Sequence, residues 1–375
     1  METLMLLRVA LSVIFMAIVA CATVETVPLY QPPDFGPGLS AAAFSPDGHL
    51  AAVANFNTIW ILDTQSMKKL MSFSGHHRFG TNNTLVYIGN DLITSTGRYK
   101  LPHQQGFEAA IMIWDLRNQY SGAAIIELPE LGQYPISLAW SDATGALAVG
   151  GENGAVVLLE PDDQGNYGKR QLPGLDGPVL DVVFSRDGSM LAAAGVHPEV
   201  PIWNTQSLQE VGSLPVKGNV YDLDLIADKR SLLVTGDELR LWKFLTEEEA
   251  RNIEDPSLAG DYITNATFVA ITVVLGAFGG PPHFPTGPAG EPDYGFCTRI
   301  TAVAPSGEYL ADVHAGITKE KIRIIGSASG EVIHTLNPRG GNTCGVAFSP
   351  DGKKLLIANN RVARLYDTRS WKQED

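Results

Sequence analysis

The chain has 375 residues, of which 45% are hydrophobic and 18% charged; this suits a folded globular protein and excludes a disordered one. Its formal charge of −14 and isoelectric point near 5.0 argue against nucleic acid as a partner, because phosphate binding needs a basic surface. Basic residues form only isolated doublets, Lys68-Lys69, Lys169-Arg170 and Lys353-Lys354, which read as solvated turn charges.

Met1 to Arg8 leads into an apolar run, Val9 to Ala20, broken by a single serine. The run is too short for a transmembrane helix of about 20 residues and has the length of a signal-peptide h-region. It ends in Ile18-Val19-Ala20-Cys21, which resembles the lipobox of bacterial lipoproteins. That resemblance implies removal of residues 1–20 and lipidation of Cys21, leaving the protein anchored to a membrane of the bacterial cell envelope. Ala22 follows rather than an inner-membrane retention aspartate, so in a two-membrane bacterium the expected site is the outer membrane, facing the periplasm. The alternative is a plain signal peptide in which Cys21 is incidental.

The next segments alternate apolar and polar residues around a recurring turn. Ser45-Pro46-Asp47-Gly48 returns as Ser185-Arg186-Asp187-Gly188 and Ser349-Pro350-Asp351-Gly352, with weaker copies at Ser141 to Gly145 and Pro305-Ser306-Gly307. Each copy separates two short apolar segments, so each reads as a hairpin whose Asp and Gly supply the turn. A third strand follows, closing on a bulky and then a polar residue: Leu62-Asp63, Trp114-Asp115, Leu159-Glu160, Trp203-Asn204, Trp242-Lys243, Ile325-Gly326 and Tyr366-Asp367. The spacings between successive copies are 52, 45, 44, 39, 83 and 41 residues. A period of about 40–45 residues with three or four strands is that of a propeller blade.

Together with Gly75-His76 and Trp114-Asp115, these repeats resemble the WD-repeat β-propeller family over roughly Leu39 to Asp367. The resemblance implies an all-β, seven-bladed β-propeller; eight blades is the alternative, since the 83-residue spacing is about two blade lengths. The seven-bladed reading places an insertion, 246–296, between blades five and six. It holds a helix start at Thr246 to Ile253, an apolar β-branched run at Thr267 to Phe278 and a Pro/Gly loop at Gly279 to Asp293. The expected organisation is a signal peptide at 1–20, an anchor and closing strand at 21–38 and the propeller at 39–375. Val24 to Tyr30 is the expected strand that joins the last blade and closes the ring; Pro28, which lacks a donor, suits an outer edge.

With Cys21 lipidated, Cys297 and Cys344 remain. Neither belongs to a Cys-x-x-Cys motif, and two thiols in an oxidising compartment invite a disulfide. Both are expected ahead of innermost strands on one rim of adjacent blades, where a bridge would staple the loop after the insertion to the last blade. The alternative is two buried thiols serving as small apolar groups.

Chemistry-bearing motifs are sparse. Of eight histidines only His76 and His77 are adjacent, and neighbours on a strand face opposite sides, so no metal site is expected. Gly326-Ser327-Ala328-Ser329-Gly330 reads as a hairpin turn rather than a nucleophile elbow, and no phosphate-binding loop occurs. Asp181, Asp222 and Asp224 fall on innermost strands and are expected to act as hydrogen-bond posts between blades, with calcium binding or catalysis as the alternative. The functional expectation is therefore a lipid-anchored scaffold that binds a protein partner without a cofactor. The alternative is a periplasmic, metal-dependent hydrolase or lactonase of propeller type.

Overall fold

The computed structural model describes residues 34–39, 41–55, 57–75, 85–99, 108–118, 122–226, 231–245, 262–264, 269–277, 300–314, 321–327, 329–338 and 343–374. All of them lie within one compact unit, Pro32–Glu374. They form seven antiparallel sheets, and each sheet is a blade. The innermost strands are Ala41–Phe44, Leu85–Ile88, Pro135–Ser141, Val179–Phe184, Val220–Leu225, Ile300–Val303 and Thr343–Phe348. Each touches the innermost strand of the next blade, and the seventh touches the first, so the sheets close into a ring around a central channel.

Because each sheet is covered on both faces by its neighbours, second strands carry continuous small apolar runs rather than an alternating pattern. Ala146–Gly151 and Ser231–Gly236 are buried along their whole length. Outer strands such as Lys69–Ser74 and Ala124–Glu127 face water at most positions. The core is thus a set of layers between adjacent blades. One layer joins Leu158 to Phe184 and Trp203 across blades three and four, and another joins Ile202 to Leu223 and Trp242 across blades four and five.

Blade five explains the long spacing. Its third strand, Glu238–Leu245, pairs along its full length with Val269–Ala277, from Glu238 opposite Ala277 to Leu245 opposite Val269. The apolar, β-branched run of the insertion is therefore the blade's fourth strand, and Tyr262–Thr264 adds a fifth. The helix start expected at Thr246 to Ile253 lies outside the described residues, and among those described no helix is long and apolar enough to cross a membrane.

Blade seven carries two additions. Lys372–Gln373 pairs with Tyr366 and Asp367, and Asp34–Leu39 pairs with the same long strand at Asn360 and Val362. The strand expected at Val24 to Tyr30 lies outside the described residues; the N-terminal strand that meets blade seven here is Asp34–Leu39. Ring closure itself is tight: a Cβ on Gly345 would stand 2.7 Å from the Ala42 nitrogen and 2.8 Å from the Ala41 carbonyl carbon. That position tolerates no side chain without moving the first blade's backbone.

The bulky residue that ends the third strand is a core anchor. Trp114 is buried, and its indole N–H donates to Ser95 Oγ at 3.4 Å on the second strand. In register terms, Trp114 lies opposite Ile93, two residues before Ser95. Trp203 lies opposite Leu191 and Trp242 opposite Leu232, so the equivalent acceptor positions are Ala193 and Val234. Both indole N–H groups are buried without a partner, a desolvation penalty that the apolar packing must outweigh.

Two substitutions test these points. Gly345→Val is expected to lower stability by about 1–3 kcal/mol through overpacking at the closing seam; an unchanged denaturant midpoint would mean the seam has slack. Val234→Thr, nearly isosteric, is expected to raise stability by about 0.5–1.5 kcal/mol by giving the Trp242 indole an acceptor; a lowered melting temperature would count against it.

Candidate functional site

A propeller offers two kinds of site: the rims, where turns cluster, and the channel between innermost strands. On one rim the recurring serine-to-glycine turn is built the same way three times. Ser45, Ser185 and Ser349 each donate a hydroxyl to the aspartate two residues on, at 2.6, 2.7 and 2.7 Å. The same oxygens accept the backbone N–H of Leu50, Met190 and Lys354, each at 2.9 Å. Gly48, Gly188 and Gly352 take φ of +74°, +71° and +70°, where a side chain would be strained. Hydroxyl and backbone donors hold the Asp187 carboxyl below its usual range, and the Ser349 hydroxyl with the Lys353 N–H brings Asp351 down to about 2.

A second turn lies against the first, and reading the sequence by its hairpins missed it. Asp63-Thr64-Gln65-Ser66, Asn204-Thr205-Gln206-Ser207 and Asp367-Thr368-Arg369-Ser370 follow three of the third strands. In each, the first residue's side-chain oxygen accepts the N–H of the serine, at 2.7, 2.8 and 2.8 Å. The threonine hydroxyl donates to the turn glycine of its own blade, at 2.7 Å every time. The residue after the serine has positive φ: Met67 at 53°, Leu208 at 59° and Trp371 at 54°. That backbone costs about 1 kcal/mol for a non-glycine residue. The local hydrogen bonds offset it, and Met67 is buried. The signal was legible as Asp/Asn-Thr-x-Ser directly after a strand.

These turns stiffen a rim that carries two concavities. One, of about 640 Å³, sits at the ends of the innermost strands of blades three to five and is lined by Trp140, Asp142, Phe184, Arg186, Leu225 and Ile226 among others. The other, of about 490 Å³, lies between blades two and three along Ile88, Leu92, Ile113, Ile126 and Tyr167. Leu70, Ile125, Val332 and Ile333 are exposed apolar side chains on outer strands.

In the channel, the aspartates join blades as expected. Asp181 accepts the Leu223 N–H of blade five at 2.8 Å. Asp222, at the equivalent position one blade on, accepts the Thr301 N–H of blade six at 2.7 Å and the Thr301 hydroxyl at 2.5 Å. Thr301 Oγ1 also lies 3.2 Å from Asp224 and 3.1 Å from the Thr235 hydroxyl. Surrounding protein and mutual repulsion push the Asp181 and Asp224 carboxyls well above the usual range, although all three keep partial access to solvent along the channel. Burial raises Asp222 too, against hydrogen bonds from Thr301 that pull it down.

The other candidate residues scatter. Cys344 is the second residue of blade seven's innermost strand rather than ahead of it. It is disulfide-bonded, and its partner lies outside the described residues, as do Cys21 and Cys297. His49 sits in a rim turn, His197 lies on the opposite rim with Nδ1 3.0 Å from the Glu199 carbonyl, and His334 stacks on Trp371. His76, His77, His103 and His283 lie outside the described residues. Among the described residues no group of three or more His, Cys, Asp or Glu could hold a metal ion. The stretch from Gly326 is a turn closed by the Gly326 N–H on the Glu331 carbonyl, at 2.9 Å.

No family model matches the chain. Over 235 residues it is 25% identical to apoptotic protease-activating factor 1 of Homo sapiens, a match spanning 58% of this chain but only 18% of that protein. The β-propeller domain of Cps50 (Swd1) from Myceliophteria thermophila superposes with a TM-score of 0.63, covering 91% of this chain and 100% of that one at 14% identity. At that identity the likeness concerns the fold alone. With the closed ring of seven sheets and the recurring third-strand ending, the chain is a seven-bladed, WD-repeat-like β-propeller.

Proposed function

We propose that this propeller is a non-enzymatic scaffold that binds a protein partner, held at the bacterial cell envelope by a lipid on Cys21. The observation that carries the binding role is the pinned rim. Three serine-to-glycine turns and three threonine-bearing turns are locked by their own side chains, so a partner would dock on loops already ordered. Preorganisation of that kind lowers the entropy lost on association. Arg186 and Trp140 stand at the edge of the larger rim concavity, and both residue types are enriched where interfaces concentrate their binding energy.

The anchoring part rests on the tetrapeptide ending at Cys21 and the apolar run before it. Acylation contributes about 0.8 kcal/mol of membrane affinity per buried methylene, so a multiply acylated cysteine holds firmly. Cys21→Ser is expected to release the protein from the membrane fraction or block its processing; a variant that fractionates and migrates as the wild type does would refute the anchor. For the scaffold role, affinity capture from native membranes is expected to recover a stoichiometric protein partner, with Trp140→Ala and Arg186→Glu lowering the yield at least tenfold. Stoichiometric calcium or zinc in the purified protein would instead favour a metal-dependent hydrolase.

A further inference from the structure

The carboxyls of Asp181, Asp222 and Asp224 gather where the innermost strands of blades four, five and six converge, and their hydrogen bonds are unequal. Asp222 receives the Thr301 N–H at 2.7 Å and the Thr301 hydroxyl at 2.5 Å, and the Asp181 carboxyl lies close enough to that of Asp222 for the two to share a hydrogen bond. Two carboxyl groups can share a hydrogen bond only if one carries a proton. The Thr301 hydroxyl has a single proton, and its contact with Asp222 is shorter than its 3.2 Å contact with Asp224. With that proton engaged by Asp222, the Thr301 oxygen is left as an acceptor, open to a protonated Asp224 at 3.2 Å and to the Thr235 hydroxyl at 3.1 Å.

Among the described residues of the adjoining strands, Arg240 and Arg323 already have carboxylate partners. On blade six Asp312, whose charge also bears on Asp222, is ion-paired with Arg323. On blade five Arg240 is ion-paired with Glu238 at 2.6 Å. The second strands of blades four and five, Met190–Gly195 and Ser231–Gly236, contain no titratable residue, and neither does Pro135–Ser141 of blade three.

We propose that the seam of blades four to six is a proton-loaded latch: Asp222 is an ionised hub, and Asp181 and Asp224 are neutral carboxylic acids that donate to it, Asp181 directly and Asp224 through the Thr301 hydroxyl. The raised Asp181 and Asp224 carboxyls accord with this assignment. The latch makes the ring pH-sensitive in a stated direction. In the unfolded chain aspartates release their protons near pH 3.9. Above that point the folded state binds more protons than the unfolded one, so stability falls as pH rises, until the latch itself deprotonates. For each proton retained, the folding equilibrium constant falls about tenfold per pH unit.

Asparagine imitates a neutral aspartic acid, so the three positions should respond differently. Between about pH 5 and pH 8.5, wild-type stability in denaturant is expected to decline as pH rises. Asp181→Asn and Asp224→Asn should each flatten that decline and be more stable than wild type at the alkaline end, whereas Asp222→Asn, which neutralises the hub, should be less stable throughout. A wild type whose stability is flat or rises with pH would overturn the latch, as would Asp181→Asn or Asp224→Asn variants weaker than wild type at the alkaline end. If Asp222→Asn does not fold, infrared spectroscopy decides. The wild type should show a protonated-carboxyl stretch at neutral pH that diminishes in Asp181→Asn, and absence of that band would refute the assignment.

Discussion

Ring closure is the constraint on which the rest of this protein depends. A blade is a small twisted sheet with two apolar faces, and neither face can remain in water. Each sheet is stable only because the next one covers it, and the series has no free ends only if the seventh blade meets the first. That meeting is made at Gly345, whose missing side chain lets its strand lie directly on the backbone of Ala41 and Ala42. Small residues recur for the same reason: Ala51, Ala52 and Ala54 on blade one and Ala192 to Ala194 on blade four sit where sheets press close. The outer strands are free of this pressure and accept lysine, glutamate and exposed isoleucine.

The degeneracy of the repeats has a physical reading. Where Trp114 keeps its serine partner, the indole N–H is satisfied; where Trp203 and Trp242 have lost it, the ring still packs. At that position the fold therefore requires a large buried side chain, which Leu62, Leu159 and Ile325 supply in other blades, and the hydrogen bond is dispensable. The rim turns carry the opposite emphasis. Their polar residues recur almost unchanged in blades one, four and seven, because their side-chain oxygens satisfy the turns' own backbone N–H groups. A protein built this way couples a tolerant core to rigid rim loops, which suits a binding platform.

The channel departs from the economy of the rest. The innermost strands of blades three and four meet through the Ser137 hydroxyl and the Val179 carbonyl, but between blades four, five and six they meet through carboxyls. Buried like charges are expensive unless some of them are neutralised, and protonation supplies that neutrality without a cation. The seam is specific for this reason: Asp181 and Asp222 each accept a particular backbone N–H of the next blade, so the register between blades is set by hydrogen bonds as well as by packing.

Much of this was legible in the sequence. The seven third-strand endings, the Ser-x-Asp-Gly hairpins and their period identify the propeller, because turn chemistry and strand alternation are local properties. The placing of Asp181 and Asp222 on innermost strands, as posts between blades, was also local, since each stands four residues before the turn. Other features depended on contacts between distant segments. That Val269–Ala277 completes blade five could not be read from its composition, because an apolar β-branched run pairs equally well with any open edge, and the open edge of Glu238–Leu245 exists only in the folded sheet. Likewise, Asp34–Leu39 meets a strand more than three hundred residues away, and hydrophobic alternation does not encode that distance. The sharing of one threonine hydroxyl between two acids is tertiary too: Thr301 and Asp222 are 79 positions apart, and only the packing of blade six against blade five brings them together.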